Sequence, residues 1–238
     1  MGDWIVDAAF CLQKAFYNLL LSSRRQVRPM GFCDTLILLD YDDTVFPTSW
    51  CATRRFDACV TKDDEFTENE RARLLDLDEV LCSVILKMEN LGTVILVSNA
   101  TEEWILQTSM SHLKNFHKML GSIVRVFSCP TVFGRGLPLE QWKVLGFRSI
   151  LDEAQAAMAA VSEYTTPMNG FNLIVVGDDT LEMDAAHATR APDDLLKTVQ
   201  FMRRPSLSNV LEEWKLLGQV IEKVVKSDQN LSCNMSPE

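Results

Sequence analysis

The chain has 238 residues, 47% of them hydrophobic and 24% charged, which suits a soluble globular protein of one α/β domain, or of one domain with a small elaboration. Its formal net charge is -10, which argues against a nucleic-acid-binding surface, since that would need clustered Lys and Arg. A phosphorylated substrate stays open, because a bound cation can reverse a local acidic field.

Residues 3–22 read as an amphipathic helix, with Ile5, Ala8, Leu12, Ala15, Phe16, Leu19 and Leu20 three and four positions apart. It would pack on the domain core or dock a partner or a membrane face. Asp3 and Asp7 stand where a secretory leader would carry positive charge, and Val6 breaks a myristoylation pattern. No apolar run approaches a membrane span. Seven cysteines without CxxC spacing and three histidines make a zinc site a poor fit, and reduced thiols in a cytoplasmic protein are expected.

After a short connection through Arg24, Arg25, Arg28, Pro29 and Gly31, strand and helix signals alternate. Thr35–Leu39 is a short apolar strand. Thr67, with Glu70 three residues on, forms a capping box that opens a helix to about Asn90, stopped by Gly92. Residues 93–98 are a second buried strand, and Thr101 caps a helix from about Glu102 to Leu120, ended by Gly121. A third strand is expected over 122–127, a loop over 129–138, and an Ala- and Met-rich helix over 139–164. Then come a fourth strand (171–177), a helix (180–190), a fifth strand (196–201) and a last helix (208–226). From Ser227 the tail is polar and expected to be disordered. The domain plan is thus an N-terminal helix and connection (1–31), a core (32–226) and a tail (227–238).

Strands that are apolar along their length and alternate with helices imply a doubly wound parallel sheet, Rossmann-like, covered on both faces. Ligands bind such sheets at the carboxyl ends of the strands. The first strand is followed by Asp40, Tyr41, Asp42, Asp43 and Thr44, the second by Ser98, Asn99 and Ala100, and the fourth by Asp178, Asp179 and then Glu182 and Asp184. Two separate strand ends therefore carry carboxylates that one sheet edge can bring together. Like charges this close repel unless a cation or a reaction needs them. Mg²⁺ prefers hard oxygen ligands from one or two carboxylates, with waters and a phosphate.

Four motifs in this order resemble the haloacid dehalogenase-like (HAD) superfamily of phosphohydrolases, over residues from about Thr35 to Phe201. They are an apolar strand followed by D-x-D-x-T (Asp40 to Thr44), a strand ending in Ser98, a lysine near a helix start in "LEQWKVLGF" (Lys143), and a strand ending in "GDDTLE" (Asp178, Asp179, Glu182). The resemblance implies a phosphatase in which Asp40 is the nucleophile that forms an aspartyl-phosphate and Asp42 the general acid and base. It implies that Mg²⁺ is held by Asp40, the Asp42 carbonyl and Asp178, with Asp179 or Glu182 as a further acidic partner, and that Ser98 and Lys143 bind the phosphoryl oxygens. By the same resemblance, Asp42 favours a phosphatase or phosphotransferase over a dehalogenase, because halide-removing relatives need only the first aspartate. Asp43 stands where many members have Gly and reads as a turn residue, and Asp179 reads equally as the N-cap of the helix that follows. Lys143 would otherwise be a surface lysine, and Arg54, Arg55 and Arg135 would be either substrate contacts or solvated charges.

The segments between the motifs leave no room for a full cap domain, so an open site is expected, suited to a phosphoprotein or other large phosphorylated substrate. The competing expectation is a HAD-fold binding or regulatory protein with little turnover, docking through the N-terminal helix.

Overall fold

The computed structural model describes residues 35–53, 66–134, 136–161 and 170–235. The expected N-terminal helix, Arg54, Arg55 and Arg135 lie outside the described residues. Among those residues six strands form one all-parallel sheet: β1 (Thr35–Leu39), β2 (Thr93–Ser98), β3 (Arg125–Ser128), β4 (Asn172–Gly177), β5 (Leu195–Gln200) and β6 (Leu231–Asn234), in the order β3-β2-β1-β4-β5-β6. β1 is buried at every position and lies between β2 and β4, with Ile37 opposite both Val94 and Ile174.

The pleat sends alternate residues to two cores. Ile37, Leu39, Leu96 and Val176 face one side, against α2 (Glu68–Leu91) and α8 (Leu207–Lys226). Leu36, Leu38, Val97 and Val175 face the other, against α6 (Leu139–Val161) and α7 (Thr180–Thr189). The result is the three-layer, Rossmann-like doubly wound arrangement that continuous apolar strands demand. No helix among the described residues is long and apolar enough to cross a membrane.

The Thr67–Glu70 capping box is formed: Thr67 Oγ1 accepts from the Glu70 N–H at 3.3 Å, and Glu70 Oε2 from the Thr67 N–H at 2.9 Å. Four expectations need correction. The helix expected over 102–120 is two, α3 (Glu102–His112) and α4 (Lys114–Met119). They part at the fully buried Leu113, because the Asp78 carboxylate, itself 1% exposed, accepts the N–H groups of Asn115 and Phe116 at 2.8 Å each and so supplies acceptors for a new helix start. The third strand begins later than expected, because Gly121 (φ +78°) opens a turn before Val124. The loop expected over 129–138 contains a short helix, α5 (Cys129–Phe133), with Pro130 in its first turn and the Ser128 hydroxyl as its cap.

The polar tail expected from Ser227 instead supplies β6. Leu231, Cys233 and Met235 alternate onto the α2/α8 core, and the Met235 N–H donates to the Gln200 carbonyl at 2.8 Å. A period of two in so short a polar segment is enough, because β5 offers an open edge of carbonyls and N–H groups.

Candidate active site

In a parallel sheet the carboxyl ends of all strands lie along one edge, and β1, β2 and β4 are neighbours there. Pairing continues one residue past β1, the Asp40 N–H donating to the Val176 carbonyl at 2.9 Å, so the Asp40 and Asp178 segments leave the sheet side by side. Ser98 ends β2, fully buried, its hydroxyl accepting the Ala100 N–H at 2.9 Å.

Asp40 is 7% exposed and Lys143 is 1% exposed. Lys143 projects from near the start of α6, on the same buried stripe as Phe147, Ile150 and Leu151. Its ammonium donates to Asp40 Oδ1 and, at 2.7 Å, to the Val97 carbonyl, and lies 3.0 Å from Glu182 Oε1. Glu182 stands in the first turn of α7 and is 4% exposed. Gly177 makes room for it, since a Cβ there would come within 2.8 Å of the Glu182 Cγ.

Residues 41–46 turn sharply back. Tyr41 is fully buried, its hydroxyl 2.6 Å from Thr108 Oγ1, and its carbonyl accepts from Val45 and Phe46 at 2.9 Å. Asp43 has a left-handed backbone (φ +58°), a conformation open to Asp and Asn at modest cost. Its carboxylate receives the Ser49 N–H at 2.7 Å and the Ser49 hydroxyl, which ties the turn to α1 (Thr48–Ala52). The Trp214 indole N–H, from α8, holds the Thr44 carbonyl at 2.8 Å. Asp42 is half-buried at the mouth. Its Oδ1 accepts from the Thr48 hydroxyl at 2.5 Å and from the Trp104 indole N–H at 3.0 Å.

The structure therefore brings Asp40, Asp42, Ser98, Lys143 and Asp178 to one edge. Asp179, read in the sequence either as a metal-holding carboxylate or as the N-cap of the following helix, caps α7, accepting the Leu181 N–H at 3.4 Å, and pairs with the exposed Arg203 at 2.6 Å. Glu182 takes the inner position. Spacing explains the exchange: Glu182 shares a helix face with the buried Ala185 and Ala186, whereas Asp179 precedes the helix. Thr48 and Trp104, as partners of Asp42, escaped sequence reasoning. The signal available was indirect: Thr101, three residues after Ser98, caps α3 and so fixes Trp104 in its first turn near the same sheet edge.

The electrostatics are those of crowded, desolvated acids. Burial, opposed by Lys143 and reinforced by Glu182 and Asp42, pushes Asp40 up to about 7. Burial, with the charges of Asp40, Glu182 and Asp43, pushes Asp178 up to about 8. Burial raises Asp42 as well, against its bonds from Thr48 and Trp104. Burial lowers Lys143, but Asp40 and Glu182 prevail and hold the ammonium above its ordinary range. One ammonium thus faces several carboxylates, and Glu182 Oε2, buried, has no hydrogen-bond partner among the described residues. This all-oxygen, charge-rich donor set fits a hard cation such as Mg²⁺. Among the described residues no three His, Cys, Asp or Glu side chains converge as a preformed metal cluster. Mg²⁺ commonly binds through one or two carboxylates and completes its shell with water and phosphate.

No protein-family model and no curated protein matches the chain. Among solved structures it is similar to a HAD family hydrolase from Deinococcus radiodurans R1, crystallised with bound phosphate and sodium, at 12% identity and a TM-score of 0.38, over 86% of this chain and 92% of that one. A likeness this distant carries no functional argument, and function is argued below from the chain's own side chains.

Proposed function

We propose that the protein is a Mg²⁺-dependent phosphatase that hydrolyses phosphate monoesters through an aspartyl-phosphate on Asp40. The observation that carries this is the buried Lys143 ammonium on Asp40 Oδ1, beside an Asp42 whose carboxylate is fixed by two donors. With Oδ1 held by Lys143, Oδ2 of Asp40 is the attacking atom. It forms a bond to phosphorus as the bond to the ester oxygen breaks. The departing oxygen keeps that electron pair and takes a proton from Asp42. Asp42, now a carboxylate, takes a proton from a water, whose oxygen attacks the acyl phosphate, releases inorganic phosphate and restores Asp40.

Ser98 and Lys143 bind the phosphoryl oxygens in this scheme, and Lys143 also opposes the rise that burial imposes on Asp40, favouring its ionised form. Asp40, Asp178 and the Asp42 carbonyl would hold the metal, with Glu182 as the further acid beside Lys143. Mg²⁺, when bound, supplies positive charge that offsets the repulsion between the carboxylates and the phosphate.

The test is phosphate release from p-nitrophenyl phosphate with and without Mg²⁺, beside Asp40→Asn. Mg²⁺-dependent release that falls by at least about a thousandfold in the variant is expected. An Asp40→Asn protein as active as wild type would remove the assigned nucleophile. Folded wild type that turns over no ester would point to a binding protein.

A further inference from the structure

The two donors that hold Asp42 both reach the same oxygen. Trp104 Nε1 lies 3.0 Å and Thr48 Oγ1 2.5 Å from Oδ1, and no hydrogen bond to Oδ2 is formed among the described residues. An indole N–H can only donate. The Thr48 hydroxyl has one proton, and its other contact, the Phe46 carbonyl, is distant at 3.4 Å. Oδ1 therefore has its two lone-pair directions filled, and Oδ2 is left as the oxygen facing away from both donors.

We propose that Trp104 and Thr48 are positioning residues that fix the Asp42 carboxylate with Oδ2 as the oxygen that passes the proton to the departing alcohol. This rests on the phosphatase reading above. The donors come from two independently anchored elements. Thr48 opens α1, which the Asp43–Ser49 bonds tie to the β1 turn. Trp104 lies in the first turn of α3, its N–H bonded to the Thr101 cap at 3.3 Å, so the same β2–α3 connection carries Ser98 and the Trp104 clamp. A carboxyl group rotates easily about its terminal torsion. Two donors converging on one oxygen from two elements remove that freedom before substrate arrives.

The proton matters most when the leaving oxygen is a poor leaving group. Phenyl phosphate needs it more than p-nitrophenyl phosphate, whose phenolate departs readily. kcat/KM reports only steps up to departure of the alcohol, so it isolates this proton transfer from the later hydrolysis. Trp104→Phe keeps an aromatic ring without the N–H, and Thr48→Val keeps the shape without the hydroxyl. For each, the loss in kcat/KM should be about tenfold greater on phenyl phosphate than on p-nitrophenyl phosphate, a fraction of the full value of general-acid catalysis. In an Asp42→Asn background neither substitution should add to the loss. Independently of turnover, the Trp104 indole N–H resonance, assigned by its absence in Trp104→Phe, should shift in Asp42→Asn.

Equal losses on both esters, or losses that persist undiminished in Asp42→Asn, would overturn the proposal and leave a structural role only. If Trp104→Phe fails to fold, Thr48→Val carries the test. Wild type inactive on both esters would overturn this proposal together with the phosphatase reading. Active wild type, inactive Asp40→Asn and equal ester losses would overturn this proposal alone.

Discussion

Burying an ammonium costs several kcal/mol unless it is paired and hydrogen-bonded, and Lys143 meets that condition with two carboxylates and a backbone carbonyl. The sequence left a surface position open for Lys143, although its helical spacing with Phe147, Ile150 and Ala154 puts it on an apolar stripe. A second buried charge lies on α8. Glu213 is 1% exposed, with Oε1 accepting the Met202 N–H at 2.6 Å and Oε2 without a partner among the described residues. Burial, opposed by the Met202 bond, pushes it from 4.5 up to about 7. The folded protein therefore binds this proton more tightly than the unfolded chain does. Its stabilising effect is complete below about 4.5 and is lost as pH rises through about 7. Glu213→Gln should flatten the fall in stability between about pH 5 and about pH 8 by on the order of 2 kcal/mol, read as urea midpoints at each pH. Asp40 and Asp178 slope the same way, so some fall should remain. An unchanged slope would contradict the account of Glu213.

The sequence specified its elements where a cap or a continuous apolar run decides them. Thr67 with Glu70 and Thr101 work through contacts within a few residues, and the strand TLILL is marked by its own unbroken apolar run. The elements it concealed depend on partners distant in the chain. The α3–α4 break is set by Asp78, 37 positions from Asn115. β6 forms only because β5 already presents an edge. β6 also carries a prediction, since its side chains complete the α2/α8 core. Truncation after Lys226 should lower stability by on the order of 2 kcal/mol, about the burial of one large apolar side chain such as Met235, seen as a lower urea midpoint. An unchanged midpoint would mean that the tail is dispensable.

Across the whole molecule, strand order explains why motifs spread from Asp40 to Glu182 form one site. β1 is central, its neighbours are β2 and β4, and the helices after those strands deliver Trp104 and Glu182 while α6 delivers Lys143. The sequence could name the strand-end residues, because a parallel sheet gathers them at one edge. It could not show that Asp179 turns to Arg203, or that Trp104 and Thr48 grip Asp42, because those pairings depend on side-chain directions set by packing. The central claim is that Asp40 becomes covalently phosphorylated. Its most direct test is to mix the Mg²⁺-loaded protein with acetyl phosphate, quench in acid, and digest for peptide mass analysis. A phosphoryl group on the peptide containing Asp40, removed by hydroxylamine and absent from Asp40→Asn, is the predicted result. Phosphate release with no phosphoryl group on Asp40, or with the label on another residue, would contradict it.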